Sequence, residues 1–163
     1  MTIQFALAAG LIAACALPSS VGAQVITHRD VGVRMGLAIA EAALTECERA
    51  GNSVSVAVVD RAGRLRVFLQ ADKANPHNIE LARRKAYTAR TFGRTSGEWA
   101  KRTAEMPEIA AQRQLAEVIA LRGGVPIKVG EETIGAVGVS GSSSEGDEKC
   151  AMAGIAKVAD QLR

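Results

Sequence analysis

Apolar residues recur at regular spacings after residue 23, and the spacing changes from one segment to the next. Residues 30–50 are predicted to form a helix, because their apolar side chains make one stripe at helical spacing: Val33, Leu37, Ala40, Leu44 and Cys47. Residues 53–59 are rich in valine, and residues 65–69 alternate apolar with polar side chains. Both segments are therefore predicted strands of one hairpin, joined by the turn at residues 60–63.

The second half of the chain is predicted to contain four more helices. The first of them is predicted to begin with Asn75 as the N-cap and Pro76 in the first turn, as is typical of helix starts, and to run to about Phe92. A third helix is predicted to start at the capping box that begins with Thr95. A fourth should start at Pro107 and end at glycines 123–124, and the last should run from Asp147 to Leu162.

A second hairpin is predicted between these helices, with strands over residues 125–129 and 133–140. No strand–helix–strand unit joins parallel neighbours, which argues against a dinucleotide-binding fold. The order of elements instead predicts an α+β fold, a single domain in which helices flank an antiparallel sheet.

Residues 1–23 resemble a secretory leader. They carry no charged side chain, contain an apolar run over residues 5–17, and end in small residues before Gln24. The run is shorter than the roughly 20 residues of a permanent membrane helix, so we expect no membrane span. We expect a signal peptide over residues 1–23, a mature domain over residues 24–163, and a periplasmic or secreted protein. A buried N-terminal helix and a lipid anchor at Cys15 are the alternatives.

Charge and aromatic content narrow the class of partner. The formal net charge is +3 and aromatic residues make up 3% of the chain. A nucleic-acid-binding surface usually concentrates positive charge among aromatic residues, so we expect no nucleic acid partner. The modest excess of positive charge favours small anionic ligands.

Two cysteines, Cys47 and Cys150, lie outside the leader. An exported chain meets an oxidising environment, in which two thiols can form a disulfide. The alternative is two separate buried cysteines in neighbouring helices that behave as small apolar residues. With two histidines and no CxxC motif, a structural zinc site has no support.

His77 is the candidate ligand residue, since it falls in the first turn of the helix that opens at Asn75. The positive field of a helix start favours the neutral imidazole, the form that binds iron or accepts a proton. Arg84 and Lys85 follow on adjoining faces of this helix, and Arg94 comes soon after. His77 is thus a candidate iron ligand, and the three cations are candidate contacts for the propionates of a haem. The alternative is an ordinary polar helix start followed by a solvated basic face.

The glycine- and serine-rich segment at residues 141–146 leads into the last predicted helix. It matches neither a phosphate-binding loop nor a nucleophile elbow. Acidic residues follow it, which is typical of ordinary helix capping and argues against bound phosphate. We interpret this segment as structural.

Several motifs together resemble the GlcG/HbpS-like family, whose members are also described as haem-degrading domain proteins. They lie at residues 58–63 (V-V-D-x-x-G), 82–89 (A-R-R-K-A-Y-T-A), 123–127 (G-G-V-P-I), 134–141 (I-G-A-V-G-V-S-G) and 147–151 (D-E-x-C-A). The resemblance runs from about Val31 to Val158. It implies an antiparallel sheet of about five strands flanked by helices, and assembly into homo-oligomers.

The resemblance also implies haem as a cofactor, in haem or iron handling or in sensing. The fifth strand would have to come from residues 24–28 or from a division of residues 133–140. Two other functions remain open on the same residues. One is an enzyme that acts on a small carboxylated metabolite with His77 as acid or base; the other is a non-enzymatic oligomeric partner of a membrane sensor.

Overall fold

The structure is a computed structural model and describes residues 24–163. The predicted leader at residues 1–23 lies outside the described residues. The elements, in chain order, are α1 (Val33–Arg49), β1 (Ser55–Val59), β2 (Leu65–Gln70), α2 (His77–Phe92), α3 (Ser96–Glu105), a 3-10 helix (Pro107–Gln114), β3 (Gly124–Val129), β4 (Glu132–Ser140), α4 (Ser144–Ala156) and a second 3-10 helix (Ala159–Gln161).

The four strands form one antiparallel sheet in the order β2-β1-β4-β3. This arrangement confirms the predicted α+β fold, although the part of the chain that the structure describes supplies four strands, not about five. Residues 24–28 form no regular element, and β4 runs unbroken through the segment that was the other candidate for a fifth strand.

The two faces of the sheet are covered by different helices. Side chains of α1 and α4 pack with alternate residues of β1 and β4, such as Val56 and Val139, in the larger core cluster. The other face carries Val59 and Ala136, which pack against Ala86 and Ala89 of α2. Strand alternation therefore sends successive residues of β1 and β4 into two separate cores.

Glycine allows α2 to lie unusually close to the sheet. A Cβ atom at Gly138 of β4 would lie 2.1 Å from the carbonyl oxygen of Ala82 and 2.5 Å from the amide nitrogen of Ala86. Only a residue without a side chain leaves room for this contact between two backbones. The close contact fixes the start of α2 beside the end of β4, where the candidate site lies.

Cys47 and Cys150 form a disulfide that joins α1 to α4, with their sulfur atoms 2.10 Å apart. Both residues are buried. The structure thus decides between the two interpretations left open by the sequence, in favour of the bridge.

Four predicted helix boundaries were wrong. The last helix ends at Ala156 instead of Leu162. Asn75 does not cap α2, because Pro76 occupies the N-cap position in a helical conformation and no side chain caps the helix. The helix predicted from Pro107 to residue 122 is a 3-10 helix that ends at Gln114. The last helix starts at Ser144 instead of Asp147, because the Ser143 side chain accepts a hydrogen bond from the Gly146 amide, at 3.1 Å.

Candidate functional site

A cleft of about 250 Å³ opens where the start of α2 meets the end of β4 and the start of α4. Its mouth carries His77, the first residue of α2, whose side chain is exposed. Leu81 and Leu121 supply aliphatic walls, and most of the remaining lining is polar. The predicted ligand residue therefore lies at the mouth of a cleft, not inside the core.

Lys85 lies two helical turns after His77 and lines the same cleft, but it is buried. Its Nζ lies 2.8 Å from Oδ2 of Asp147, and both side chains are less than 5% exposed. The ammonium group also donates to the carbonyl oxygen of Val139 at 3.0 Å. A buried ion pair of this kind needs good geometry and further hydrogen bonds to offset desolvation, and both are present here.

Serine side chains complete the polar floor of the cleft. Oδ1 of Asp147 accepts hydrogen bonds from the amide and the hydroxyl of Ser142, each at 2.9 Å. Asn78, buried in the first turn of α2, accepts a hydrogen bond of 3.2 Å from the hydroxyl of Ser140. The floor thus combines two groups of polar contacts, to which α2, β4 and α4 each contribute a residue.

Arg84 points away from this floor. Its guanidinium group donates to the carbonyl oxygen of Val118, in the segment that follows the first 3-10 helix. Its Nε atom is buried and has no hydrogen-bond partner among the residues that the structure describes. Arg84 therefore lies beside the cleft, with part of its hydrogen-bonding capacity unused.

The neighbouring Arg83 fastens the same segment to α2. Its guanidinium group contacts Glu117 and also Oε1 of Glu80, the latter at 3.0 Å. The hydrogen bond from Arg83 lowers the pKa of Glu117 below its usual value, and those from Glu117 and Glu80 raise the pKa of Arg83. Glu117 has a positive φ of 69°, which is uncommon for a residue with a side chain.

Arg94 is exposed and lies beyond the far end of α2. At about 1.5 Å per residue, the two ends of this 16-residue helix are about 22 Å apart. The structure therefore does not bring Arg94 and His77 of one chain to the same site. It brings His77 and Lys85 to one cleft and places Arg84 at its side.

Sequence reasoning missed the polar partners in the cleft, namely Asn78, Ser140, Ser142 and Asp147. Asp147 was interpreted as an ordinary helix-capping residue, Ser142 as part of a structural segment, and Ser140 as the last residue of a strand. One usable signal was the position of a polar residue, Ser140, at the end of an otherwise apolar strand. The partner of Lys85 is 62 residues away along the chain, so local spacing could not identify it.

Residues 24–163 contain neither a metal-binding cluster nor a membrane-spanning helix. No group of three or more histidine, cysteine or acidic side chains is placed to hold a bare metal ion. None of the helices in this range has the length and apolar character needed to cross a bilayer.

The structure is an α+β domain with a cleft between α2, β4 and α4, and comparison with known proteins identifies its family. The model of the HbpS-like family, described as haem degrading protein HbpS-like, matches residues 34–156. The chain belongs to this family, as its motifs indicated.

Solved structures agree with the assignment. A crystal structure of HbpS is 33% identical, with a TM-score of 0.78 over 85% of this chain and 96% of that chain. A double mutant of Streptomyces reticuli HbpS is also 33% identical, with a TM-score of 0.78 over 88% of this chain and 97% of that chain. PduOC in complex with haem shares the fold at 24% identity, with a TM-score of 0.70 over 78% and 94%. No match was found among curated protein sequences.

Proposed function

We propose that this protein binds haem, with His77 as the axial ligand of the iron. The observation that carries the proposal is the exposed imidazole at the mouth of a cleft with two leucine walls. Membership of a family described as haem degrading supports it. The haem complex of PduOC adds that this fold is compatible with a bound haem.

The residues of the cleft fit one face of a haem. His77 offers a nitrogen ligand, and Leu81 and Leu121 offer an apolar surface to a flat ring. A cleft of about 250 Å³ is below the roughly 300–1,000 Å³ of pockets that enclose drug-sized ligands. We therefore propose a shallow site on one chain that a second copy of the chain completes in a homo-oligomer.

The cations near the cleft have different parts in this proposal. Arg84 contacts a propionate through its Nη1 amino group, because Nη2 donates to Val118 and Nε is buried. Arg94 lies too far from His77 along α2, so it contacts a propionate only from the second copy. Lys85 is neutralised by Asp147, so its part is to hold the cleft floor in place and not to contact a propionate.

Haemin titration of the purified protein tests the ligand. We expect the Soret band to shift on binding, and His77→Ala to weaken binding at least tenfold because the iron–nitrogen bond is lost. His28→Ala is the matched control, since His28 is the other histidine, is also exposed and lies outside the cleft. An unchanged spectrum and affinity in His77→Ala would exclude His77 as the ligand.

We also propose that the chain is exported to the periplasm or the cell exterior. The leader-like composition of residues 1–23 and the Cys47–Cys150 disulfide support this location, because structural disulfides are rare in reducing compartments. Mass spectrometry of the protein from its native cell tests the proposal. We expect a mature N-terminus at Gln24, and an intact Met1 in the cytoplasmic fraction would contradict it.

A second candidate function follows from the polar floor of the cleft. The hydroxyls of Ser140 and Ser142 suit the oxygen atoms of a small oxygenated acid, with His77 as the acid or base. Turnover of a carboxylated metabolite by completely haem-free protein, lost in His77→Ala, would favour this function over haem binding.

A further inference from the structure

Two neighbouring cavities, distinct from the cleft at His77, lie near the other end of α2. One has a volume of about 280 Å³ and is lined by His28, Asp30, Arg61, Ala62 and Arg90. The other, of about 250 Å³, shares three of these residues, Arg61, Ala62 and Arg90, and adds Tyr87. We call the two together the Arg90 cavity. It combines the N-terminal segment, the β1–β2 turn and the last turns of α2.

The carboxylates around the Arg90 cavity already have partners. Oδ1 of Asp30 accepts hydrogen bonds from the amides of Val31 and Arg61, at 2.7 and 2.9 Å, and Oδ2 contacts Arg66 at 3.4 Å. Burial raises the pKa of Asp30, but these hydrogen bonds outweigh it and lower the pKa overall. Glu132 is paired with the Arg61 guanidinium group. Neither acid is left to neutralise a further cation.

Arg90 is that further cation. Its Nε donates to the carbonyl oxygen of Arg61 at 2.5 Å, which fixes the plane of the guanidinium group at the cavity. Within residues 24–163, no carboxylate forms an ion pair with Arg90, and its two terminal amino groups have no hydrogen-bond partner. Arg90 is half-buried, and its terminal amino groups are not among the buried polar atoms, so they are accessible to a ligand.

His28, from the N-terminal segment, lines the same cavity. Its imidazole is exposed and forms no hydrogen bond with any residue that the structure describes. The C-terminal end of α2 adds partial negative charge nearby, which the positive charge of Arg90 offsets. The cavity therefore presents the two terminal amino groups of a planar cation and an imidazole, none of which has a hydrogen-bond partner among residues 24–163.

We propose that the Arg90 cavity binds a small ligand through an oxyanion, a carboxylate or a phosphate. A guanidinium group matches either oxyanion with two parallel hydrogen bonds, and His28 supplies a third contact. Along α2 of one chain, Arg90 is 13 residues from His77, or about 20 Å, so within a chain this site is separate from the proposed haem site. The inference does not depend on haem binding.

Amide chemical shifts of haem-free protein, titrated separately with inorganic phosphate and with acetate at low ionic strength, test the proposal. We expect saturable shifts centred on residues 61–63 and 87–91. Arg90→Gln should weaken binding at least about tenfold, since a hydrogen bond to a charged group contributes about 1.5–3 kcal/mol. The control is Arg64→Gln, an exposed arginine of the same turn without an ion pair among residues 24–163, which should change the dissociation constant less than about twofold.

The two probes distinguish the oxyanion, because the tighter one identifies the chemical class. His28→Gln, which leaves the packing of α2 untouched, keeps the test valid if Arg90→Gln is poorly folded, and it should also weaken binding. Absence of saturable shifts up to about 50 mM of either probe would overturn the proposal. Equal weakening by Arg64→Gln and Arg90→Gln would overturn it too, because the effect would then be general electrostatics.

Discussion

Single residues of α2 take different roles because they differ in burial. His77 and Lys85 line one cleft, yet His77 is exposed while Lys85 is enclosed with Asp147. The sequence placed His77 correctly at a helix start, since the signals for a helix start are local. It did not predict that Lys85 is committed to an internal ion pair, because burial depends on contacts between distant parts of the chain.

The Lys85–Asp147 pair gives a prediction for stability. Asp147→Asn should lower the free energy of unfolding by about 3–5 kcal/mol, because it leaves the Lys85 ammonium buried without a counter-charge. Chemical denaturation measures the loss. Glu145→Gln is the control, because Glu145 lies on the same helix as Asp147 but makes only an exposed contact with Arg122. Its loss should cost less than about 1 kcal/mol. Equal losses in the two variants would contradict the importance of the buried pair.

At the scale of elements, both hairpins were predicted within a residue or two, because valine-rich strands and glycine turns are local signals. The helix predicted from Pro107 failed for a tertiary reason. Its later half is held extended along α2, where the hydroxyl of Thr88 accepts a hydrogen bond from the Ile119 amide at 2.9 Å. Apolar spacing alone could not distinguish this packing from a helix.

The contact between α2 and β4 predicts the effect of a single methyl group. Gly138→Ala should destabilise the protein by about 3 kcal/mol or more, since the new Cβ would overlap the backbone of α2 at Ala82. Gly32→Ala is the matched control, because nothing lies within 4 Å of its added Cβ. Thermal or chemical unfolding measures both. A Gly138→Ala protein as stable as Gly32→Ala would show that α2 does not lie this close to the sheet.

The contact between Arg83 and Glu117 predicts a pH dependence. Because the pKa of Glu117 is lowered from 4.5, its stabilising effect is present above that value and is lost as the pH falls through the folded value. The stability difference between wild type and Glu117→Gln should therefore be larger at pH 7 than near pH 3. Glu48→Gln, at an exposed position of α1, should show no such change. A difference that does not vary with pH would contradict this account.

At the scale of the whole molecule, the disulfide closes the helical layer over one face of the sheet. It links residues 103 apart in sequence, so it constrains a large part of the unfolded chain. The fold class was predictable from the order of elements alone. The pairing of the cysteines was not, because spacing does not report distance in space.

Removal of the disulfide tests this contribution. The double variant Cys47→Ala, Cys150→Ala should lose about 2–5 kcal/mol of stability. Reduction of the wild type with a thiol should give a similar loss of melting temperature, and the same reductant should not affect the double variant. If the reductant lowers both melting temperatures equally, the bridge does not stabilise the fold.

The central claim is that the His77 imidazole binds the iron of a haem. Pulsed electron paramagnetic resonance of the ferric haem complex, prepared from protein with ¹⁵N-labelled histidine, measures this bond directly. We predict a ¹⁵N hyperfine coupling in the wild type and in His28→Ala, and its loss in His77→Ala. A coupling that persists in His77→Ala, or that disappears in His28→Ala instead, would contradict the claim.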